Sequence, residues 1–82
     1  MEIIPGQEWN IADTKDIGKA VQAAREKSGL RQAQAAALCG VGTRFMSDLE
    51  NGKATLQTAK VIKVLRALGM QIILQPKKFG HG

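Results

Sequence analysis

Residues 30–53 read LRQAQAAALCGVGTRFMSDLENGK and decide the fold of this chain. The alanine-rich run from Gln32 to Leu38 has no β-branched residue, which favours a helix. Gly40 follows it, and glycine is the residue that most easily adopts the left-handed conformation at a helix end. A second helical pattern begins after this turn and is expected to stop at Gly52. The segment is therefore predicted to form two short helices joined by a tight turn.

The spacing of small and apolar residues in this segment is that of a helix-turn-helix. The small Ala36 lets the second helix approach, Gly40 forms the corner, and Met46 and Leu49 anchor the second helix in the core. This arrangement holds the second helix at the surface, with its polar side free to enter the major groove of DNA.

Length and charge are compatible with this interpretation. The 82 residues suffice for one small domain, for which a dimer is plausible on size alone. The net charge of +5 is uneven, because residues 1–14 carry three acids and no base, whereas residues 54–82 carry five bases and no acid. A basic body suits a polyanionic partner, although solvated surface charge would also explain the total.

The chain is expected to work in the cytoplasm. Its single cysteine, Cys39, cannot form an internal disulfide, suits a reducing compartment and is expected to be buried as a small core residue. No transmembrane span or secretory signal is recognised in the sequence.

Two further helices flank the central segment. The first is expected from Thr14 to Ser28–Gly29, with Asp13 as N-cap and Asp16 placed as in a capping box. The last is expected from Thr55 to Leu68, with apolar residues on more than one face. A β-prone run follows Gly69 and ends before Pro76, but nothing obvious in the chain pairs with it.

The wide helix face and the unpaired strand both argue for a homodimer. The residues expected at its interface are Leu65, Leu68, Met70, Ile72, Ile73 and Leu74. In the N-terminal arm, Trp9 either packs against the body or anchors a partner.

Several runs resemble known repressors. Leu30-x-Gln32, Ala36, Gly40-Val41 and the run from Leu49 to Lys53 resemble the helix-turn-helix of lambdoid phage repressors and their bacterial (Xre/Cro) relatives. The longer runs at 44–55 and 61–70 are similar to HipB-type antitoxins, small repressors encoded beside a HipA-type kinase toxin. The match covers about residues 14–75.

The resemblance implies a mostly α fold of four to five helices, with a short C-terminal strand that pairs across a homodimer. It divides the chain into an N-terminal arm (1–12), a helix-turn-helix domain (13–69) with its recognition helix at about 42–51, a dimerisation strand (70–76) and a flexible tail (77–82). It also implies that Arg25 pairs with Glu50 in a partly buried ion pair that fixes the fold.

The recognition helix offers candidate base-reading residues. Thr43 and Arg44 lie in its first turn, and Arg44 can donate two parallel hydrogen bonds to guanine. Asp48 either accepts from cytosine N4 or repels phosphate and holds Arg44 in place. Ser47 reaches a base or a phosphate, and Phe45 packs on the preceding helix or, less favoured, touches a thymine methyl.

The resemblance adds phosphate contacts from Gln32 and from the loop at 51–53. The full predicted DNA-binding set is Gln32, Thr43, Arg44, Phe45, Ser47, Asp48, Asn51 and Lys53. Arg31 stands where the family often has threonine or serine as a helix cap, so a cap is lost and a phosphate contact becomes available.

Other function classes fit less well. The only histidine, His81, lies in a glycine-rich tail, and the sequence has no Cys/His zinc cluster and no phosphate-binding glycine loop. We therefore expect no enzyme activity, no catalytic residue, no metal and no cofactor. A pure protein-interaction module is a more serious rival, but the polar first turn of the recognition helix favours DNA. The expected partners are double-stranded DNA with an inverted-repeat operator, a second copy of the chain and a HipA-type serine/threonine kinase toxin. The alternative is a stand-alone dimeric repressor without a toxin.

Overall fold

The computed structural model describes residues 8–77, and within that range the chain forms four α-helices. They are α1 (Thr14–Lys27), α2 (Gln32–Cys39), α3 (Thr43–Glu50) and α4 (Thr58–Ala67). The predicted mostly α fold is thus confirmed for the described residues. Residues 1–7 of the predicted N-terminal arm and the tail beyond residue 77 lie outside them. In the described part of the chain, no helix has both the length and the apolar surface needed to cross a membrane.

The start of α1 is fixed by a reciprocal capping box, as predicted. The Asp13 carboxylate accepts from the amides of Lys15 and Asp16 at 2.9 and 3.2 Å. The Asp16 carboxylate in turn accepts from the amides of Ala12 and Asp13 at 2.8 and 3.3 Å. These two hydrogen bonds, that of Ala12 foremost, lower the pKa of the Asp16 carboxyl because they stabilise its charged form.

The core lies around α3, which packs against α1 and α2, while α2 also contacts α4. Each helix contributes fully buried side chains, with Val21 from α1, Met46 from α3 and Val64 from α4. Cys39 lies among them, its Sγ 4.0 Å from the Val64 carbonyl oxygen. It is a buried core residue, as expected, and burial raises the pKa of its thiol.

A glycine in the middle of α1 lets that helix approach α3 at backbone distance. A Cβ atom on Gly18 would lie 2.5 Å from the Leu49 carbonyl oxygen and 2.6 Å from that of Glu50. Any larger residue would therefore push the two helices apart. Gly18 sets the depth at which α3 lies in the domain.

The last helix begins later than predicted. Its first residue is Thr58, not Thr55, because residues 54–56 form the turn that returns the chain from α3. Leu56 lies in this turn and packs against the core without being helical. The spacing of apolar residues from position 55 onward fits a helix that starts at Thr55 as well as one that starts at Thr58, so the sequence could not place the start.

The residues predicted to form the dimer interface lie in two different environments. Residues 71–77 are exposed and in no regular element, so the described residues contain no strand at 70–76. A strand needs a neighbour to accept and donate its ladder hydrogen bonds, and one chain offers none there. Leu65 and Leu68 are buried in the core of this chain, and their part in a dimer interface stays a prediction.

Candidate nucleic-acid interface

The turn between α2 and α3 places the recognition helix at the surface. Gly40 ends α2 with a φ of +72°, in the left-handed region, and the Val41 amide donates to the Ala36 carbonyl at 2.9 Å. Gly42 is the N-cap of α3 and has no side chain to bond the first amides. The N-terminal end of α3 therefore presents amide donors and the positive end of the helix dipole.

The two sides of α3 differ sharply in exposure. Met46 and Leu49 are buried in the core, whereas Thr43 and Arg44 in the first turn are exposed. The Arg44 side chain is 90% exposed. Phe45 is half-buried against the core, with the Lys60 ammonium 5.7 Å from its ring centroid. Whether Phe45 also touches a thymine methyl stays a prediction.

Asp48 and Ser47 lie half-buried on the same exposed side of α3. One carboxylate oxygen of Asp48 lies 3.8 Å from Nε of Arg44 and 3.6 Å from Nζ of Lys53. The structure thus brings together three members of the predicted set. Both roles predicted for Asp48 remain predictions.

A buried carboxylate ties the recognition helix to the rest of the domain. Glu50, whose side chain is 4% exposed, accepts from Nε and Nη2 of Arg25 at 2.5 and 3.0 Å. The remaining Arg25 amino group donates to the Leu30 carbonyl at 2.8 Å. The Glu50 carboxylate raises the pKa of Arg25, because it stabilises the guanidinium cation. The pair joins the C-terminal ends of α1 and α3.

Gln32 belongs to the same network. Its side-chain amide donates to Glu50 Oε1 at 3.1 Å, so it braces the C-terminal end of α3 from the start of α2. A side-chain amide has two N–H donors, and this bond uses one of them. Gln32 is half-buried, so the group retains access to solvent.

The start of α2 lacks a side-chain cap, as predicted. A guanidinium has no acceptor, so Arg31 cannot bond the first amides of the helix. Instead, the Gln34 side chain accepts from the Arg31 amide at 2.8 Å. The sequence signal for this bond is the three-residue spacing of a capping box, which is half occupied here. Arg31 itself is exposed.

The loop after α3 is held against the start of α1. Gly52 has a φ of +79°, and a Cβ atom there would lie 2.8 Å from the Lys15 Cα. Thr14 Oγ1 donates to the Gly52 carbonyl at 2.6 Å. Asn51 and Lys53 on either side are exposed. The loop that carries two predicted phosphate contacts is therefore fixed in place.

Sequence reasoning missed the part that α4 plays near the turn. Lys63 Nζ donates to the Gly40 carbonyl at 3.3 Å, which satisfies an acceptor at the end of α2. Together with Lys60 above Phe45, it makes the α4 lysines neighbours of the helix-turn-helix. No local sequence signal reveals this contact, because the turn and α4 are more than twenty residues apart. Within residues 8–77, no cluster of histidine, cysteine or acidic side chains is arranged to hold a metal ion.

Comparison with known proteins identifies the family. A helix-turn-helix domain family matches residues 16–74. An uncharacterized HTH-type transcriptional regulator of Sinorhizobium fredii, y4mF, is 50% identical over 67 residues, which cover 80% of this chain and 88% of that protein.

Two solved structures have the same fold as this chain. A chain of the HipB–O4 20mer complex has a TM-score of 0.76 at 21% identity, over 87% of this chain and 100% of its own length. A chain of the HipA–HipB–O2–O3 complex has a TM-score of 0.77 at 21% identity and the same coverage of both chains. The chain therefore belongs to the helix-turn-helix domain family of transcriptional regulators, which is not an enzyme family, and has the fold seen in the HipB complexes.

Proposed function

We propose that the protein is a sequence-specific DNA-binding repressor that inserts the first turn of α3 into the major groove. The observation that carries this proposal is the exposure of Thr43 and Arg44 on a helix whose opposite side is locked into the core. A rigidly held helix with exposed polar residues at its N-terminal end is the arrangement that reads base edges. Arg44 bonds O6 and N7 of a guanine, a contact that discriminates between bases by roughly 1–3 kcal/mol.

The phosphate contacts come from residues around the recognition helix. Lys53 and Asn51 lie exposed in the loop after α3, and Gln32 keeps a free N–H at the start of α2. The unpaired amides at the start of α3 add hydrogen-bond donors that suit an anion. These contacts position the duplex, while Thr43, Arg44 and Ser47 read it.

The repressor acts as a homodimer through its C-terminal segment. Three large apolar side chains of this segment are exposed: Ile72, Ile73 and Leu74, of which Leu74 is 91% exposed. Ile72 also lines a shallow groove together with Ile62 of α4. Pairing of residues 70–76 with the same segment of a second copy would cover these side chains and supply the missing strand partner. A twofold dimer reads an inverted repeat, with half-sites about one helical turn or a multiple of it apart.

Its biological role is that of an antitoxin in a HipBA-like operon. The dimer binds and neutralises a HipA-type kinase toxin and represses its own promoter. The support is the likeness of fold to a chain of the HipA–HipB–O2–O3 complex, together with the sequence resemblance in the second half of the chain. The alternative is a stand-alone dimeric repressor without a toxin; the name of the transcriptional regulator from Sinorhizobium fredii fits either role.

Two experiments test these points. Selection from a pool of random duplexes should recover an inverted-repeat consensus, and a pool that stays random would remove the repressor function. Co-purification of the tagged protein from its native host should yield a kinase-like protein in stoichiometric amount. Recovery of the protein with DNA alone, or with nothing, would leave the stand-alone repressor.

A further inference from the structure

Asp48 lies between two cations of the proposed interface. One of its carboxylate oxygens is 3.8 Å from Arg44 Nε and 3.6 Å from Lys53 Nζ. The Asp48 carbonyl also accepts from the Lys53 amide at 3.0 Å. Both the main chain and the side chain of Asp48 thus hold the loop after α3, and the other acid of the helix, Glu50, is already paired with Arg25.

Helix stability does not explain an acid at this position. Asp48 lies in the last turn of α3, where the helix dipole disfavours a negative charge. Its pairing with Arg44 has the basic residue first, which is the less favourable order at a spacing of four. The Arg44 and Lys53 side chains are 90% and 51% exposed, so these ion pairs add little to folding. The acid also lies on the side of α3 that would face a polyanion.

The geometry of Arg44 gives Asp48 a use in discrimination. The contact involves Nε, which leaves both terminal amino groups of the guanidinium free. Those two groups can bond O6 and N7 of a guanine while Nε stays beside Asp48. A phosphate beside the groove would instead draw Arg44 away from this carboxylate. Asp48 therefore favours the guanine contact over the backbone by the small free energy of an exposed ion pair.

We propose that Asp48 is a specificity-determining residue, which orients Arg44 toward a base and competes with DNA phosphates for Arg44 and Lys53. This inference rests on the proposed DNA-binding function. Its consequence is that Asp48 weakens binding to unrelated duplex more than binding to the operator. It assigns Asp48 no base contact of its own.

The test compares the wild-type protein with Asp48→Asn, which keeps the size of the side chain and removes its charge. Binding is measured by fluorescence anisotropy on the duplex recovered by selection and on a shuffled duplex of the same composition, at 50 mM and 200 mM salt. Asp48→Asn should bind the shuffled duplex about three- to ten-fold more tightly, as expected when exposed ion pairs are removed. Its affinity for the selected duplex should stay within about two-fold of wild type, because the lost orientation of Arg44 offsets the lost repulsion.

Glu8→Gln is the matched control, since it removes the same charge from an exposed residue that precedes α1 and takes no part in the ion pairs of α3. If both variants strengthen binding to both duplexes alike, only net charge matters and the inference is wrong. If Asp48→Asn loses affinity for the selected duplex alone, Asp48 reads a base and the inference is also wrong. Asp48→Ala should reproduce the result for Asp48→Asn.

A double-mutant cycle shows whether Asp48 changes specificity through Arg44. In an Arg44→Ala background, Asp48→Asn should no longer change the ratio of the two affinities, since that ratio depends on the orientation of Arg44. A ratio that still changes would overturn the proposal. If selection recovers no consensus, the proposed repressor function fails on its own. The shuffled duplex still tests Asp48 in that case. If Asp48→Asn binds it with the same affinity as wild type, Asp48 does not compete with phosphate.

Discussion

Replacement of Gly18 by alanine is expected to destabilise the fold, although alanine is the better helix former. Alanine at an ordinary mid-helix site gains about 1 kcal/mol over glycine. Here the new Cβ would lie 2.5 Å from the Leu49 carbonyl oxygen and 2.6 Å from that of Glu50. Both contacts are with backbone atoms, which cannot rotate away, so α1 and α3 must separate by most of an ångström. Overpacking of this kind costs about 1–3 kcal/mol.

We expect Gly18→Ala to lose about 1 kcal/mol of unfolding free energy after the helix gain is subtracted from the overpacking cost. The measurement is urea unfolding followed by circular dichroism, with all variants at one protein concentration because a dimer couples stability to concentration. Gly42→Ala is the matched control, since nothing lies within 4 Å of its Cβ position and its φ of −72° suits alanine. It should lose only about 0.5 kcal/mol, the cost of a poorer N-cap. A Gly18→Ala protein as stable as wild type would refute the close approach of α1 and α3.

Three further outcomes test other parts of the structure. Arg25→Met should lower the unfolding free energy in urea by about 3 kcal/mol, because it removes the counter-ion of the buried Glu50 carboxylate and leaves only the Gln32 hydrogen bond. Adding Glu50→Gln should recover part of that loss, and an Arg25→Met protein as stable as wild type would contradict the ion pair. Cys39 should react slowly with a thiol reagent at pH 8 and rapidly in urea, since its burial and raised pKa keep it a protonated thiol; equal rates would contradict this. The amides of Ala12 and Asp13 lower the pKa of the Asp16 carboxyl, so its charged form stabilises the fold above the unfolded pKa, and this contribution is lost as pH falls through the folded pKa. Asp16→Asn should therefore reduce the fall in unfolding free energy on acidification. An unchanged fall would show that the Asp16 carboxylate contributes nothing to stability at low pH.

Local signals in the sequence predicted the local features of the fold. The Asp13 and Asp16 spacing marks the start of α1, and Gly40 marks the end of α2, because caps depend on residues only a few positions apart. The buried side of α3 followed from the spacing of Met46 and Leu49 for the same reason.

Features that depend on distant residues could not be predicted in this way. The need for glycine at position 18 exists only because α3 lies against it, and the bond from Thr14 to Gly52 joins residues 38 positions apart. Leu65 and Leu68 share an apolar pattern that fits a core and an interface equally well, and the structure assigns them to the core. The strand at 70–76 remains a prediction, because its hydrogen-bond partner would be a second chain.

The most direct test of DNA reading by α3 is a titration of the selected duplex with wild-type protein and with Arg44→Ala. We expect wild-type log K to fall linearly with log salt concentration, as phosphate contacts displace counterions. Arg44→Ala should lose about 1–3 kcal/mol on the selected duplex and much less on a shuffled one, with an unchanged urea midpoint. Equal affinity of the two proteins for the selected duplex, or binding that does not respond to salt, would contradict the proposed interface.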